Sequence, residues 1–432
     1  MSMQEKKGGN VFAIVTMFAL FFMIAFVTNF ASPMGVIAKN QFNASNALSQ
    51  LGNFANFFAY LFMGIPGGLI LKRKGYKFTA LTAVAVGFSG VGIQLLSGYI
   101  GSFAVYVAGA FVAGFSMCML NLVVNPLLNT LGGGGNKGNQ LVQFGCSLNS
   151  VGATLSPMVL GWLIGEITKD TSFIKAAPAL MIAMGIFAVA FIIVALSRIP
   201  EPHMETAEEK AARLAGGSSV IKDIAATLKF RHFTFGALAI FFYIVIEVGV
   251  PSMGMLYMTD CVKDASGEIV SKGPGYVGGA VAGAVCGAYW LLMMVGRLLG
   301  GVVGGKVSSR VQTAFLATLG IALLLAVMFA PVKMITLFGK EFPLSMAFMV
   351  GVGICTSVMW GGIFNMAAEG LGKYVPMGSG IFMAMVFGGV LIPVQGLLAD
   401  KIGILNSYWL SIGLLSYVLL YALVLSKPVK RA

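Results

Sequence analysis

Charged residues are scarce in this sequence. Only 10% of its 432 residues are Asp, Glu, Lys or Arg, whereas 58% are hydrophobic. Soluble domains usually carry roughly a quarter charged residues, so the composition excludes an ordinary soluble domain and indicates an integral membrane protein. Apolar runs long enough for a spanning helix of about 20 residues recur along almost the whole chain, which predicts an all-α protein with about twelve transmembrane helices. The predicted spans cover residues 11–38, 48–71, 78–98, 101–131, 139–165, 176–197, 232–259, 276–305, 311–331, 343–371, 376–399 and 404–426.

Histidine and cysteine are also scarce. The two histidines, His203 and His232, fall in or beside the central hydrophilic segment, so a zinc site is not expected. The five cysteines are an odd number at unrelated spacings, which argues against a disulfide framework. The sequence contains no Ser-His-Asp set and no acidic pair typical of membrane glycosyltransferases. We therefore expect no enzyme activity, no metal and no cofactor.

A cleavable secretion signal is missing from the N-terminal region. The opening MSMQEKKGGN leads into a long apolar run, without the short apolar region and small-residue cleavage site that a signal peptide has. We expect this run to be retained as the first span.

The net charge of +13 could suggest a nucleic-acid partner, but the positions of the basic residues favour another explanation. If the N-terminus is cytoplasmic, most Lys and Arg residues fall on the cytoplasmic side, as the positive-inside rule requires. This pattern predicts a multi-pass protein with both termini in the cytoplasm and no nucleic-acid partner. The basic residues on that side are Lys6, Lys7, Lys72, Arg73, Lys74, Lys77, Lys137, Arg198, Lys210, Arg213, Lys222, Lys229, Arg231, Lys306, Arg310, Lys373, Lys427, Lys430 and Arg431.

A single extended hydrophilic stretch, residues 198–231, divides the chain into two parts with six predicted spans each. We predict a first bundle at 1–197, a cytoplasmic linker at 198–231 with a surface helix in SSVIKDIAATLKF, and a second bundle at 232–432. A weak repeat supports the division, because NPLLNTLG from residue 125 and NMAAEGLG from residue 365 share Asn, Leu and Gly at matching places. Tandem repeats of this kind occur in secondary transporters, whose binding site lies between the repeats.

Amide and hydroxyl side chains form polar stripes on the predicted fourth and fifth spans. Asn121, Asn125 and Asn129 recur every four residues, and Gln140, Gln143, Ser147, Ser150 and Thr154 continue at helical spacing after a glycine-rich turn. One amide in a span usually serves as helix–helix contact worth about 1 kcal/mol or less. Several amides in register exceed that need, and they predict a cavity for a neutral ligand rich in hydroxyl groups. Asn29 in the first span and Asn53 and Asn56 in the second are further candidates.

Glu247 is the most informative charge in the sequence. It lies about fifteen residues into the seventh predicted span, roughly 22 Å along a helix and therefore near the midplane. An acid there costs about 2.5–3.5 kcal/mol on insertion scales, so it should face the interior, be protonated or be paired. A proton or sodium site, or a hydroxyl acceptor, is the functional interpretation, and a neutral acid that serves packing is the alternative. Arg297 is interpreted as a structural residue that pairs across helices or snorkels, and Glu369 as a gate or interface charge.

Other features have a structural alternative as well. Tyr243, Trp290 and Trp360 could stack on a sugar, although single aromatic residues in membrane helices more often serve packing. The run LGGGGNKGNQ lacks GK followed by Ser or Thr and follows a helix, so it is better explained as a tight interhelical turn than as a phosphate loop.

Four motifs arrive in an order that resembles the fucose permease and glucose/galactose permease family of the Major Facilitator Superfamily. They are GIPGGLILKRKGYK, NPLLNTLGGGGNKGNQ followed by SLNSVGAT, FFYIVIEV, and GLGKYVPMGSG. The resemblance covers nearly the whole chain. It implies a fold of two six-helix bundles, sugar uptake by alternating access with proton or sodium coupling, and residence in a bacterial inner membrane.

The chain departs from this family at two acids. Where proton-coupled fucose permeases carry Asp in the first span and Glu in the fourth, this sequence has Ser32, or Asn29 in the alternative register, and Asn121. Glu247 matches an acid of the hexose-type branch, so the resemblance implies that Glu247 carries the coupling.

The prediction is a monomeric importer of a hexose or related neutral monosaccharide, coupled to a proton or sodium. Its cavity would be lined by Asn29, Asn53, Asn56, Asn121, Asn125, Gln143, Tyr243 and Glu247. The alternatives are a sugar uniporter or a carrier of another small polar solute and, in another class, a sensor that does not transport.

Overall fold

Long apolar helices make up almost all of the protein. The computed structural model describes residues 3–28, 37, 41, 51–164, 173–214, 220–263, 269–337 and 339–428. The predicted site residue Asn29, together with Ser32, lies outside the described residues. The helices are α1 Met3–Thr28, α2 Leu51–Ile100, α3 Phe103–Leu131, α4 Gly135–Ile164, α5 Phe173–Leu196, α6 Ala207–Leu214, α7 Val220–Leu228, α8 Arg231–Thr259, α9 Gly279–Gly304, α10 Ser309–Phe329, α11 Leu344–Ser357, α12 Met359–Ala368, α13 Val375–Ala384, α14 Ile392–Ile402 and α15 Tyr408–Leu420.

Helix α2 reverses direction at Gly75 and therefore contains two spans. Gly75 has φ 84°, a left-handed conformation that glycine adopts without steric penalty. Before the turn, Gly52 lies against Tyr106 and Gly67 against Leu122, so this arm runs parallel to α3. After the turn, the order is inverted, because Gly87 lies against Ser116 and Gly109 against Gln94. The two arms are therefore antiparallel neighbours.

The described helices accommodate the predicted count of about twelve spans. Among the described residues, ten helices are long and apolar enough to cross a membrane, with α2 counted once and α4 not included. Division of α2 at Gly75 adds one span, and the more polar, 30-residue α4 adds another. The all-α membrane fold is thus confirmed.

Two short β-hairpins were not predicted from the sequence. Strands β1 Cys261–Lys263 and β2 Ile269–Lys272 pair after α8, and β3 Met334–Leu337 and β4 Lys340–Pro343 pair after α10. The segments lie between predicted spans and have no strong alternation. We call the end of the bundle that carries them the hairpin side.

The opposite end carries the short turns at 75, 132–135, 305–308 and 369–374, and the segment between α5 and α8. We call it the linker side. Gly133, Gly134 and Gly135 all have positive φ, so the glycine run forms the tight turn predicted from the sequence.

Helices α1–α5 form the first half and α8–α15 the second. The predicted domain boundaries stay a prediction.

The segment between the halves is attached to the α2 turn. The Glu201 carboxylate accepts hydrogen bonds from the main-chain N–H groups of Tyr76 and of Lys77, the latter at 2.9 Å. Burial raises the pKa of Glu201, and these donors oppose the rise. The predicted surface helix is present as α7, where Asp223 pairs with Lys72 at 2.7 Å.

Glycine residues allow the two halves to approach closely on the linker side. A Cβ atom on Gly68 would lie 2.6 Å from the Pro376 carbonyl oxygen and 3.1 Å from Gly380 Cα. A Cβ atom on Gly301 would similarly lie 2.8 Å from the ring of Phe144. Contacts at these distances, with backbone at Gly68 and with a ring at Gly301, leave no room for a larger residue.

Gly68→Ala is expected to destabilise the protein. The added methyl group would clash with the α13 backbone, and such overpacking costs about 1–3 kcal/mol. Gly185→Ala is the matched control, because nothing lies within 4 Å of its added Cβ and alanine is favoured in helices. Thermal unfolding in detergent should give a lower midpoint for Gly68→Ala only. Equal midpoints for the two variants would contradict the close contact.

Candidate functional site

A buried ion pair lies between α8 and α9. The Glu247 Oε1 atom is 3.0 Å from Arg297 Nη2, and the two side chains are 13% and 9% exposed. Because Arg cannot lose its charge, an unpaired guanidinium at this depth would be costly. The structure therefore confirms that the intramembrane acid is paired.

Arg297 also contacts the first half. Its Nη1 atom donates to Ser150 Oγ at 2.7 Å and to the Cys146 carbonyl oxygen at 3.3 Å, both in α4. Its Nε atom donates to the Ser357 carbonyl oxygen at 3.4 Å in α11. Pairing of Arg297 across helices is confirmed, and its head group lies inside the protein and does not snorkel. The guanidinium fork thus joins α9 to three other helices and connects both halves.

Two buried tyrosines stand beside the pair. The Tyr289 hydroxyl donates to the main-chain oxygen of Glu247 at 3.1 Å and lies 3.1 Å from Thr356 Oγ1. The hydroxyl of Tyr243 faces Glu247 and Arg297 without meeting standard hydrogen-bond geometry. Both rings have no exposed area, so they exclude water from this side of the carboxylate.

A line of hydrogen bonds connects the amides of α3 to the second half. Asn121 Nδ2 donates to the Tyr60 hydroxyl at 3.1 Å, and Asn125 Nδ2 donates to Asn121 Oδ1 at 3.3 Å. The Trp360 indole N–H of α12 donates to Asn125 Oδ1 at 3.1 Å. The Trp360 ring lies 6.4 Å from that of Tyr243, between centroids. An aromatic face and amide groups thus lie side by side where the halves meet.

Two further amides cross between the halves. Gln143 Nε2 donates to the Val358 carbonyl oxygen at 2.8 Å, whereas its Oε1 atom is buried and has no partner among the described residues. Asn129 Nδ2 donates to Asn365 Oδ1 at 2.7 Å nearer the linker side. The predicted stripes on α3 and α4 therefore face the second half.

A polar cavity of about 270 Å³ opens beside the Asn129–Asn365 contact on the linker side. The Arg310–Glu369 ion pair lies on its wall, in agreement with an interface charge at Glu369. Its lining consists mainly of amide, hydroxyl and glycine residues: Asn129, Gly134, Gly135, Asn136, Ser308, Ser309, Arg310, Asn365, Met366, Ala368, Glu369 and Gly370.

The predicted site residues are brought together only in part. Asn121, Asn125, Gln143, Tyr243 and Glu247 lie at the contact between the halves. The side chain of Asn53 lies outside the described part of the structure, although its backbone belongs to α2.

Asn56 lies apart from this cluster. It lines a small cavity inside the first half, together with Thr28, Gln94 and Met117. The sequence predicts Asn56 as a cavity candidate in the second span, but it does not show which helices that side chain meets.

Two residues of the cluster are absent from the predicted lining. The sequence predicts Arg297 as a structural residue that pairs across helices or snorkels, and Trp360 as a stacking candidate with packing as the alternative. Their roles depend on which residues of the other half lie opposite, which no local pattern shows. One signal was available for Arg297: it is the only arginine inside a predicted span, and Glu247 is the only midplane acid.

Metal ligands do not cluster in the part of the chain that the structure describes: no group of three or more His, Cys, Asp or Glu side chains could hold an ion. The site instead offers amide donors and acceptors, an aromatic face and one ion pair. This arrangement can bind hydroxyl groups and can gain or lose a proton at Glu247.

Comparisons with known proteins agree with this architecture. A family described as the Major Facilitator Superfamily matches residues 16–387. A "Glucose/galactose transporter" of Brucella abortus is 26% identical over 420 residues, which cover 96% of this chain and 94% of that protein. The "L-fucose-proton symporter" of Escherichia coli is 23% identical over 425 residues, which cover 92% and 90%. The crystal structure of the E. coli fucose:proton symporter FucP matches with a TM-score of 0.76 at 17% identity, covering 96% of this chain and 98% of FucP.

Glu247→Gln is expected to lower stability by about 3–5 kcal/mol, because it leaves the buried Arg297 without a counter-charge. The double variant Glu247→Gln/Arg297→Gln should recover much of the loss. Glu369→Gln is the matched control, since its partly exposed pair with Arg310 is worth about 1 kcal/mol or less. Thermal unfolding of all three variants measures the difference. A similar small effect for Glu247→Gln and Glu369→Gln would contradict the buried pair.

Proposed function

Because the chain belongs to the Major Facilitator Superfamily, we propose that it is a secondary transporter that imports a neutral monosaccharide, a hexose or related sugar, by alternating access. The resemblance to glucose/galactose and fucose permeases, stated from the motifs, agrees with the relatives found. Residues 1–197 and 232–432 would be the two moving bundles and 198–231 the cytoplasmic linker between them. The protein would act as a monomer in a bacterial inner membrane with both termini inside.

The observation that carries the proposal is the line of groups Tyr60, Asn121, Asn125 and Trp360 across the two halves. Amides offer both donors and acceptors, as sugar hydroxyls require, and an indole ring suits the apolar face of a pyranose. Asn121 is only 8% exposed and Asn125 is fully buried. A sugar could reach these groups only after the halves move apart, as alternating access requires.

The charge balance of the site favours a neutral substrate over an acidic one. Arg297 is the only Lys or Arg inside a predicted span, and Glu247 neutralises it at 3.0 Å. A carboxylate substrate would have to displace this partner and leave Glu247 unpaired. A hydroxyl-bearing substrate leaves the ion pair intact.

Glu247 is the residue that we assign to cation coupling. Ser32 and Asn121, which replace the acids of proton-coupled fucose permeases, cannot titrate. Glu247 can exchange a proton and lies at the contact between the halves. A proton is favoured over sodium because the E. coli relative is named as a fucose:proton symporter. An uncoupled uniporter remains the alternative.

Proteoliposomes of the purified protein are expected to accumulate a labelled hexose when an inward proton gradient is imposed. Without a gradient, the sugar should only equilibrate. Glu247→Gln should abolish accumulation but keep exchange of labelled for unlabelled sugar, because the coupling group is lost and the amides remain. Glu341→Gln, an exposed acid in β4 on the hairpin side, is the control and should accumulate normally. Accumulation by Glu247→Gln with unchanged proton dependence would disprove the coupling role of Glu247. Accumulation driven by a sodium gradient would identify sodium as the coupling ion.

Trp360→Phe is expected to raise the KM for sugar by about 5- to 10-fold, since the loss of one hydrogen-bonding group corresponds to about 1 kcal/mol. The variant keeps an aromatic ring but removes the donor to Asn125. Trp409→Phe is the matched control, because that indole is half exposed and packs on Phe329 near the hairpin side. If the KM of Trp360→Phe equals that of Trp409→Phe, Trp360 does not contribute to sugar binding.

A further inference from the structure

Arg297 is the only described side chain that binds Glu247 through an ion pair and also donates to the opposite half. The pair with Glu247 lies within the second half, whereas the hydrogen bonds to Ser150 and Cys146 reach the first half. The same guanidinium therefore connects the group that we assign to coupling with the contact that must break during transport.

We propose that Arg297 is a positioning residue that transmits the charge of Glu247 to the first half through Ser150. When Glu247 is ionised, the pair holds the guanidinium against α4 and keeps the linker side closed. When Glu247 takes up a proton, the guanidinium loses its counter-charge and the linker side opens. The inference rests on the proposed coupling role of Glu247 and goes beyond it, because it names the contact on which the charge acts.

The direction of the effect follows from the surroundings of the guanidinium. Its remaining acceptors, the Ser150 hydroxyl and the carbonyl groups of Cys146 and Ser357, carry no charge. A buried cation with only neutral acceptors is strongly disfavoured relative to a hydrated one. Between Arg297 and the linker side, α4 packs on α9, where a Cβ atom on Gly305 would lie 3.1 Å from the Gln140 side chain. Water from the linker side therefore gains access to Arg297 when α4 and α9 separate, so protonation of Glu247 favours that separation.

Few other titratable groups face Glu247. Tyr243 lies on its own helix, Tyr289 and Arg297 on α9, and Cys146 on α4. The tyrosines and the thiol are uncharged in mildly acidic and neutral solution, where Arg297 keeps its charge. Among these described neighbours, Glu247 is therefore the group whose charge changes with pH in that range.

Ser150 and Ser147 provide a matched pair of variants one turn apart on α4. The Ser150 hydroxyl accepts from Arg297 and donates to the Cys146 carbonyl oxygen. The Ser147 hydroxyl donates to the Gln143 carbonyl oxygen within the same helix. Both side chains are buried, so Ser150→Ala and Ser147→Ala remove the same group and differ in the contact with Arg297.

The test measures the distance between spin labels on the linker side without any sugar. Labels at the exposed positions Lys137 and Lys306, one in each half, are introduced as cysteines after the five native cysteines have been replaced by alanine. Pulsed electron resonance at mildly acidic and neutral pH then gives the ratio of closed to open populations. The parent should shift toward the longer distance on acidification.

Glu247→Gln should show the longer distance at both pH values. Ser150→Ala should reduce the ratio of closed to open protein by about tenfold at neutral pH, as expected for the loss of a hydrogen bond to a charged group. It should also weaken the response to acid, and it should add little to Glu247→Gln. Ser147→Ala should behave like the parent.

Equal behaviour of Ser150→Ala and Ser147→Ala, or an unchanged acid response in either Glu247→Gln or Ser150→Ala, would overturn the inference. A purely structural role of Ser150 would lower the unfolding temperature and leave the acid response intact. Because no sugar is present, a failure of the proposed sugar uptake would leave this distance measurement unaffected, so the two failures can be distinguished.

Discussion

The protein has to compensate one buried positive charge, and much of its interior is arranged around this requirement. Arg297 cannot lose its proton, so burial demands an acid and further acceptors within reach. Glu247 supplies the acid from α8, while Ser150 and Cys146 supply acceptors from α4. Helices from both halves meet at this level, and the guanidinium takes part in the packing between them.

Around this ion pair, the contact between the halves is polar and closely packed. Asn125 meets Trp360, Asn129 meets Asn365, and Gln143 meets the Val358 carbonyl group. Each hydrogen bond contributes only about 0.5–1.5 kcal/mol net, because water can replace the partner when the halves separate. Such an interface can open at modest cost, whereas an interface of large apolar side chains would resist opening. The same amides would then be free to form hydrogen bonds with other polar groups.

Much of the fold could be predicted because the relevant signals are local. Hydropathy located the spans, whereas the boundaries of the two bundles around 198–231 stay a prediction. The four-residue recurrence of Asn121, Asn125 and Asn129 predicted a common face, and the structure turns Asn125 and Asn129 toward the second half. Asn56 shows the limit of this reasoning, because a polar face on a helix does not specify the neighbour that it meets, and Asn56 points into the first half. The two β-hairpins were missed because short strands outside the membrane leave little pattern.

The sequence by itself determined that the chain spans a membrane many times, that a midplane acid needs a partner, and that two helices carry amide stripes. These conclusions depend on the cost of placing polar groups in hydrocarbon, which applies whatever the tertiary arrangement is. Only the tertiary structure decided that Arg297 is the partner of Glu247, that Trp360 completes the amide line, and that Ser150 links the ion pair to the other half. The packing of whole helices decides which residues far apart in the sequence become partners. The residue pattern of a single helix does not specify that packing.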